Sequence, residues 1–414
     1  MSADAARLAE WRTRYPVLGE LEAKARGRIP AFLFDYLQGG TGEELSCRRN
    51  IDALRSVEIV PRYGIDLSTT DTAAELFGRR YAAPLAISPI GMDGAIWPGA
   101  SQLLAAAARE AGIGYMMSSM AADSIERVST VAGERFWFQL YGFAANDHAT
   151  SFDLIDRARE AGARVLAVTL DIPAPARRVR DMRNGIAMPM RITPAMAVAA
   201  VMRPQWLAAV ARAGMPRFGN FAHYCRQGAG KAEVDAFVAA GRPGAGVTWE
   251  VLARFRDAWP HAMVVKGVMH PGDAEKAVAL GLDGVIVSNH GGRQFDPAPA
   301  PIDVLPAIRS AVGAEPTILI DGGFMSGTDV LKALALGANG VMAGRAFMLG
   351  LAALGEDGAR HVIATLMEEL RIGLAQTGAR TVAGARELAV RHPGAWKSED
   401  FRAAETGSKD ASGK

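Results

Sequence analysis

From about residue 83, short apolar runs alternate with longer amphipathic ones. Eight apolar runs stand out: APLAIS (83–88), YMMSS (115–119), FWFQLY (136–141), VLAVTLD (165–171), MVVKG (263–267), GVIVSN (284–289), TILID (317–321) and GVMAG (340–344). Helix-like segments follow nearly all of them, for example SFDLIDRAREAG (151–162) and GDAEKAVALG (272–281). Strand followed by helix, repeated in this way, predicts an α/β fold with a parallel (β/α)8 TIM barrel. AGA, LGL and LGA triplets close the helices just before the next strand. Glycine there supplies the left-handed conformation that ends a helix.

The barrel spans about residues 83–378, within a single domain expected to cover residues 1–396. Residues 1–80 read as a helical, loop-rich N-terminal extension, in which Pro30 opens a short helix, AFLFDYLQGG, with a Gly-Gly stop. The rhythm breaks once, after strand 4. Residues 172–262 intervene there, where roughly two to six residues is the usual βα loop. A long insertion on that face is read as functional. The tail from Lys397, KSEDFRAAETGSKDASGK, is polar and is expected to be disordered.

Composition narrows the classes. Half the residues are hydrophobic and 22% are charged, which excludes a disordered chain. With 46 Lys+Arg against 44 Asp+Glu, no basic excess drives nucleic-acid binding. The two cysteines, Cys47 and Cys225, form no CxxC or Cys/His cluster, so neither a disulfide framework nor a metal site is expected. The N-terminus, MSADAARLAEWR, lacks a secretory pattern, and a cytoplasmic location is the default expectation. Ile192 to Met202 is uncharged but ends at Arg191 and Arg203, short of the roughly 20 residues a membrane span needs. Lying on a membrane surface remains open.

A barrel puts its active site at the C-terminal ends of its strands. Every predicted strand end carries polar residues or glycine: Ser88-Pro89-Ile90-Gly91, Ser118-Ser119, Gln139 and Tyr141, Thr169 and Asp171, Lys266, Ser288-Asn289-His290-Gly291-Gly292-Arg293, Asp321-Gly322-Gly323, and Gly344-Arg345. Burying so many polar groups is costly unless a ligand or one another satisfies them. The last two ends form the common phosphate site of such barrels, so a phosphorylated ligand is expected. His290, at a strand end beside two glycines, is read as a catalyst over the alternative of a satisfied polar residue. Asp171 would orient it, unless it caps a helix. Arg178 and Arg293 suit a carboxylate, so the substrate is expected to be an acid. Arg177, Arg180 and Arg183 nearby are read as solvated or paired. Lys266 is either a Schiff-base lysine or the partner of an anionic cofactor atom.

These residues carry a family resemblance. SNHGGRQFD (288–296), supported by VKG (265–267), FWFQLY, LALGANGVMAGRA and DYLQGG (35–40), resembles the FMN-dependent α-hydroxy-acid oxidase and dehydrogenase family over roughly residues 15–390. The resemblance implies FMN as cofactor and oxidation of an (S)-2-hydroxy acid to the 2-keto acid, with electrons passed to a quinone or to O2. It implies His290 as the base and Asp171 as its partner. Arg178, Arg293 and the Tyr36 hydroxyl would bind the substrate carboxylate, and Tyr141 its hydroxyl or keto oxygen. Lys266 would stabilise the reduced flavin. Pro89, Ile90 and Gly91 would line the flavin, and Ser118, Gln139, Thr169 and Ser288 would hydrogen-bond it. Asp321, Gly322, Gly323, Gly344 and Arg345 would hold its ribityl phosphate. A homotetramer is implied as well.

Within the family, PIGMDGAIWP (89–98) and the stretch 184–221 look most like the (S)-mandelate dehydrogenase branch. In that branch the stretch attaches the enzyme to a membrane. Here it is apolar with spaced Arg191, Arg203 and Arg212, which suits an interfacial segment as well as a lid or subunit contact. Three departures stand out. Met325 replaces a usual phosphate-pairing arginine, Met120 stands where oxidases often carry Trp, and Gly91 matches the dehydrogenase branch. The competing classes are a non-redox phosphate-binding isomerase or lyase on the same barrel, and a degenerate flavin-binding protein.

Overall fold

The computed structural model describes residues 3–187 and 190–402. All eight predicted runs are strands: β1 (Leu85–Ile87), β2 (Gly114–Ser118), β3 (Phe136–Leu140), β4 (Val165–Thr169), β5 (Ala262–Val268), β6 (Gly284–Val287), β7 (Thr317–Ile320) and β8 (Gly340–Ala343). They pair in parallel in chain order, and β8 closes on β1 to complete a barrel. Gly162, Gly281 and Gly337 take positive φ at the helix ends, where the triplets placed them, and Gly112 does the same.

Alternation along the strands sorts the barrel interior into layers. Ala86, Met116, Trp137, Ala167, Val264, Ile286, Leu319 and Met342 form an apolar cluster separate from the main core. Each strand contributes one of them, because side chains on a strand alternate faces. The intervening Ile87, Met117, Phe138, Val168, Val265, Val287, Ile320 and Ala343 face the surrounding helices and join the main core.

The N-terminal extension contains an unanticipated element. A hairpin, Ala74–Leu76 paired with Arg79–Tyr81, turns through Phe77 and Gly78 at positive φ. Leu76, Phe77 and Tyr81 pack into the interior cluster and plug that end of the barrel. Trp137 Nε1 donates to the Tyr81 hydroxyl at 3.0 Å, and the two rings meet edge to face. The helix Ala31–Gln38 forms after Pro30 as expected.

Two boundaries differ from the sequence reading. The stretch 172–262 is not all insertion: its last helix, Trp249–Ala258, packs on Ala145–Glu160 and supplies the barrel's fourth helix. Leu252 and Phe255 bury its inner face. Disorder from Lys397 is also too early. Ser398–Arg402 is helical, and Phe401 is buried with its ring 5.2 Å from His270. One aromatic residue in a polar tail was enough to dock it. Residues 403–414, and Met188 and Pro189 of the insertion, lie outside the described residues.

Candidate active site

Two residues beyond the apolar layer, the same alternation points Ser88, Ser118, Gln139, Thr169, Lys266, Ser288 and Asp321 inward, with Gly344 on β8. All seven polar residues are buried. Much of the ring satisfies itself. Ser118 Oγ donates to Gln139 Oε1 at 2.8 Å, and Gln139 Nε2 donates to Thr169 Oγ1 at 2.9 Å. Lys266 Nζ reaches Ser288 Oγ at 2.7 Å and Asp321 Oδ2 at 2.9 Å.

The imidazole sits just above this ring. His290 Nδ1 lies 3.0 Å from Asp171 Oδ1, and its Nε2 lies 3.2 Å from the Tyr141 hydroxyl. Burial would raise the Asp171 carboxyl, but His290 and Lys266 together hold it below its usual value. Burial lowers His290 and outweighs the pull of Asp171, while Lys266 and Arg178 push the same way. A neutral ring whose Nδ1–H serves Asp171 leaves Nε2 as an acceptor, so the Tyr141 hydroxyl donates to it. Burial also raises Tyr141, keeping it protonated. The product is a base with its free nitrogen beside a fixed hydroxyl.

Local sequence explains the placement. Gly267 holds φ +100, and a Cβ there would lie 2.6 Å from the Asp171 Cβ. His290 itself adopts φ 58, a conformation costing about 1–3 kcal/mol outside glycine. Asn289 holds the loop there. It exchanges two amide hydrogen bonds with Asn50, at 2.9 and 2.7 Å, and also donates to Ser46 and Pro299. Gly292 completes the fit, since a Cβ would fall 2.6 Å from the Cys47 backbone nitrogen.

The carboxylate-binding candidates converge on one side of the imidazole. The Arg293 guanidinium lies 4.9 Å from the Tyr36 ring centroid and donates to the Tyr36 and Gly39 carbonyls. Arg178 Nε donates to the Arg293 carbonyl at 3.3 Å. The Tyr36 hydroxyl donates to the Gly91 carbonyl at 3.2 Å. A Cβ on Gly91 would touch Met120 at 3.4 Å. Burial, with repulsion from Arg178, brings Arg293 down to about 10. Arg180, by contrast, pairs with Glu44 and Asp35.

The end built by β7 and β8 is arranged differently. Arg345 donates to the carbonyls of Leu37, Gly39 and Gly291, which brace the His290 loop against the helix Ala31–Gln38. Gly322 and Gly323 lie against Asn50, Leu54 and Pro301. Met325 offers no charge and packs against the main core. In the inward-facing ring, Ser88 Oγ and Asp321 Oδ1 are buried with no partner among the described residues. Ser88 Cβ lies 3.5 Å from where a Gly344 Cβ would stand.

Sequence reasoning named Ser88 only as a polar end of the first strand and missed Asp181 altogether. The ligand-facing place of Ser88 was legible as the position two beyond Ala86 on β1. Asp181, buried one helical turn after Arg178, carried no motif. The unpartnered oxygens, glycine clearances, and donors from Ser118 to Lys266 fit the polar edge and ribityl chain of a flavin mononucleotide. No group of His, Cys, Asp and Glu among the described residues is arranged to hold a metal ion.

Comparison with known proteins agrees with this chemistry. The chain is 40% identical over 372 residues to an L-lactate dehydrogenase of Caulobacter vibrioides (strain NA1000 / CB15N), covering 89% of this chain and 96% of the relative. It is 39% identical over 377 residues to a 4-hydroxymandelate oxidase of Amycolatopsis orientalis, covering 90% and 98%. A crystal structure of the monotopic membrane protein (S)-mandelate dehydrogenase superposes with a TM-score of 0.84 at 34% identity, covering 90% of this chain and 98% of that one. The sequence model of FMN-dependent dehydrogenases matches residues 25–392, and the chain belongs to that family.

Proposed function

We propose that this protein oxidises (S)-2-hydroxy acids of lactate-like or mandelate-like form to 2-keto acids. The observation carrying the proposal is the Asp171–His290–Tyr141 line beside two half-buried arginines, Arg178 and Arg293, that have no carboxylate in contact among the described residues. When bound, FMN supplies the two-electron acceptor. Ser118, Gln139, Thr169, Lys266 and Ser288 would hold its ring with Pro89, Ile90 and Gly91. Asp321, Gly322, Gly323, Gly344 and Arg345 would hold the ribityl phosphate without help from position 325.

Arg178 and Arg293 grip the substrate carboxylate, with Tyr36 beside them. Tyr141 fixes the oxygen on Cα. His290 Nε2 then takes the proton, from Cα or from the hydroxyl. Asp171 stabilises the imidazolium that results. The test is anaerobic mixing of the purified yellow protein with (S)-lactate, glycolate and (S)-mandelate. Bleaching of the flavin absorbance by an (S)-acid supports the function, and a flavin untouched by any of them refutes it.

Electrons then pass to a quinone-type acceptor at a membrane surface. No described helix is long and apolar enough to cross a membrane. The helices Pro194–Val201 and Pro204–Ala213 instead dock by Met196, Trp206 and Ala209, with Trp206 Nε1 donating to the Ala95 carbonyl. Ile192, Val198, Val201, Met202 and Met215 are left exposed. Residues 184–221 contain Arg191, Arg203, Arg212 and Arg217 and no acidic residue. An apolar face rimmed by arginine suits an anionic lipid surface. Sedimentation with anionic vesicles, lost at high salt and in Val198→Asp, tests this. Slow peroxide formation under air is expected; rapid formation would make O2 the acceptor. A homotetramer, implied by the resemblance, is checked by light scattering.

A further inference from the structure

The stretch 184–221 ends in Gly219, Asn220 and Phe221, and these three residues run between the ends of β2 and β3. The Gly219 N–H donates to the Ala121 carbonyl at 3.3 Å, and a Cβ on Gly219 would lie 2.2 Å from the Asp123 carbonyl carbon, so the two backbones touch. The Phe221 ring centroid lies 5.1 Å from that of Phe143, two residues beyond Tyr141. Asn220 is fully buried between these contacts. Its Nδ2 donates to the Ser119 carbonyl at 3.0 Å, and its Oδ1 accepts the Ile125 N–H at 2.8 Å. A flipped amide would set donor against donor and acceptor against acceptor, so one orientation is fixed. Ser119, also buried, passes the link on. Its Oγ accepts the Tyr141 N–H at 3.1 Å, and its own N–H donates to the Gln139 carbonyl at 2.8 Å. The Tyr141 hydroxyl then stands 3.2 Å from His290 Nε2. Laying an apolar face on a lipid surface requires none of these bonds.

We infer that Asn220 is a positioning residue: through Ser119 it fixes the backbone of Tyr141, and so the place of the Tyr141 hydroxyl between the substrate oxygen and His290. The inference rests on the role proposed above for Tyr141. Tyr141 follows directly on β3, past the last residue paired with either neighbouring strand. Its N–H is therefore held by a side chain and not by the sheet. Ser119 can hold it only while its own backbone is held, and Asn220 does that from the insertion. Any tilt of the Tyr141 backbone is carried to the hydroxyl at the far end of the ring. Asn220 touches no reacting atom, and it alters how well Tyr141 is placed rather than what it does. The stretch that leaves an apolar face exposed thus ends as an arm of the active site, required whether or not a membrane is present.

The test follows anaerobic flavin reduction of the holoenzyme by (S)-lactate and (S)-mandelate in vesicle-free buffer. Acetate titrated into the oxidised enzyme probes the arginine clamp by itself, since it has a carboxylate but no oxygen on Cα. Asn220→Ala should slow reduction about tenfold, because a small misplacement at the reacting centre is enough for that. Acetate should bind as it does to the wild type. The cycle with Tyr141→Phe isolates the route: with the phenol hydroxyl gone, adding Asn220→Ala should change the rate by less than about twofold. Ser119→Ala removes only the hydroxyl that joins the two residues and should reproduce the split between reduction and acetate binding. It carries the same test where Asn220→Ala does not fold. Full additivity of Asn220→Ala with Tyr141→Phe, equal losses in reduction and acetate binding, or unchanged reduction in Asn220→Ala and Ser119→Ala overturns this inference alone. Unchanged reduction in Tyr141→Phe overturns the reading of Tyr141 and this inference with it.

Discussion

The two ends of the barrel are built by the same strands, two residues apart, with opposite chemistry. At the plugged end, Trp137, Met116 and Leu319 meet Leu76 and Tyr81 of the hairpin, and the single polar pair there is closed on itself. At the mouth, Ser118, Gln139, Lys266 and Asp321 replace them on the same faces. Apolar packing is complete without anything else. A buried polar ring is not, because each unpartnered group costs about 1–3 kcal/mol. The difference locates function without any motif: within the barrel interior, the ring of buried polar side chains stands at the mouth alone, where another molecule can meet it.

The sharpest way to test the contrast is to remove the base. His290→Gln should slow anaerobic flavin reduction about 1,000-fold, with FMN content and melting temperature unchanged. Retained turnover would take His290 out of its role and with it the claim that the mouth is the reactive end. Asp171→Asn comes next, at about a hundredfold. Its pH profile carries more information than its rate. Reduction needs neutral His290, so the rate falls as pH drops through the folded value, which lies below the ordinary 6.5. Asp171 raises that value, so removing its charge should move the acid limb to still lower pH. A limb that moves upward would mean Asp171 does not face the imidazole.

The plugged end should respond in the opposite sense. Tyr81→Phe leaves the buried Trp137 N–H without a partner, at a cost of about 1–3 kcal/mol. Melting temperature should drop while reduction rate and substrate affinity stay as they were. A loss of activity without a loss of stability would contradict the separation of the two ends.

Much of this was legible in the chain, and the exceptions share a cause. The strands showed themselves because a barrel strand buried on both faces is a short continuous apolar run. His290, Asp171, Lys266 and the clamp arginines were legible because they follow those runs directly. The hairpin at Ala74–Tyr81 was not, since strands of three residues leave no periodic signal. Trp249–Ala258 was absorbed into the insertion because no apolar strand separates it from the helices before it. Phe401 docks through one ring, below what a compositional reading detects. Asp181 escaped because a carboxylate among arginines reads as an ordinary surface pair. Its burial is a tertiary fact.

The smallest expected effect is the most direct probe of the mouth. Ser88 Oγ is buried without a partner, and the residue stands beside Gly344 at the junction of β1 and β8. In the apoprotein that hydroxyl is a liability. Ser88→Ala should raise the apoprotein's stability by about 0.5–1 kcal/mol, since removing an unsatisfied buried group recovers part of its desolvation cost. If FMN satisfies the hydroxyl, the same substitution removes a hydrogen bond from the loaded enzyme, and the gain there should vanish or change sign. Melting curves of the apo and FMN-loaded forms of both proteins separate the cases. Equal shifts in the two forms would mean that the unpartnered oxygen is a packing defect unrelated to the cofactor, and that the polar ring ends before β1. Opposite shifts would extend the ring to all the polar positions two residues above the apolar layer, as strand alternation requires.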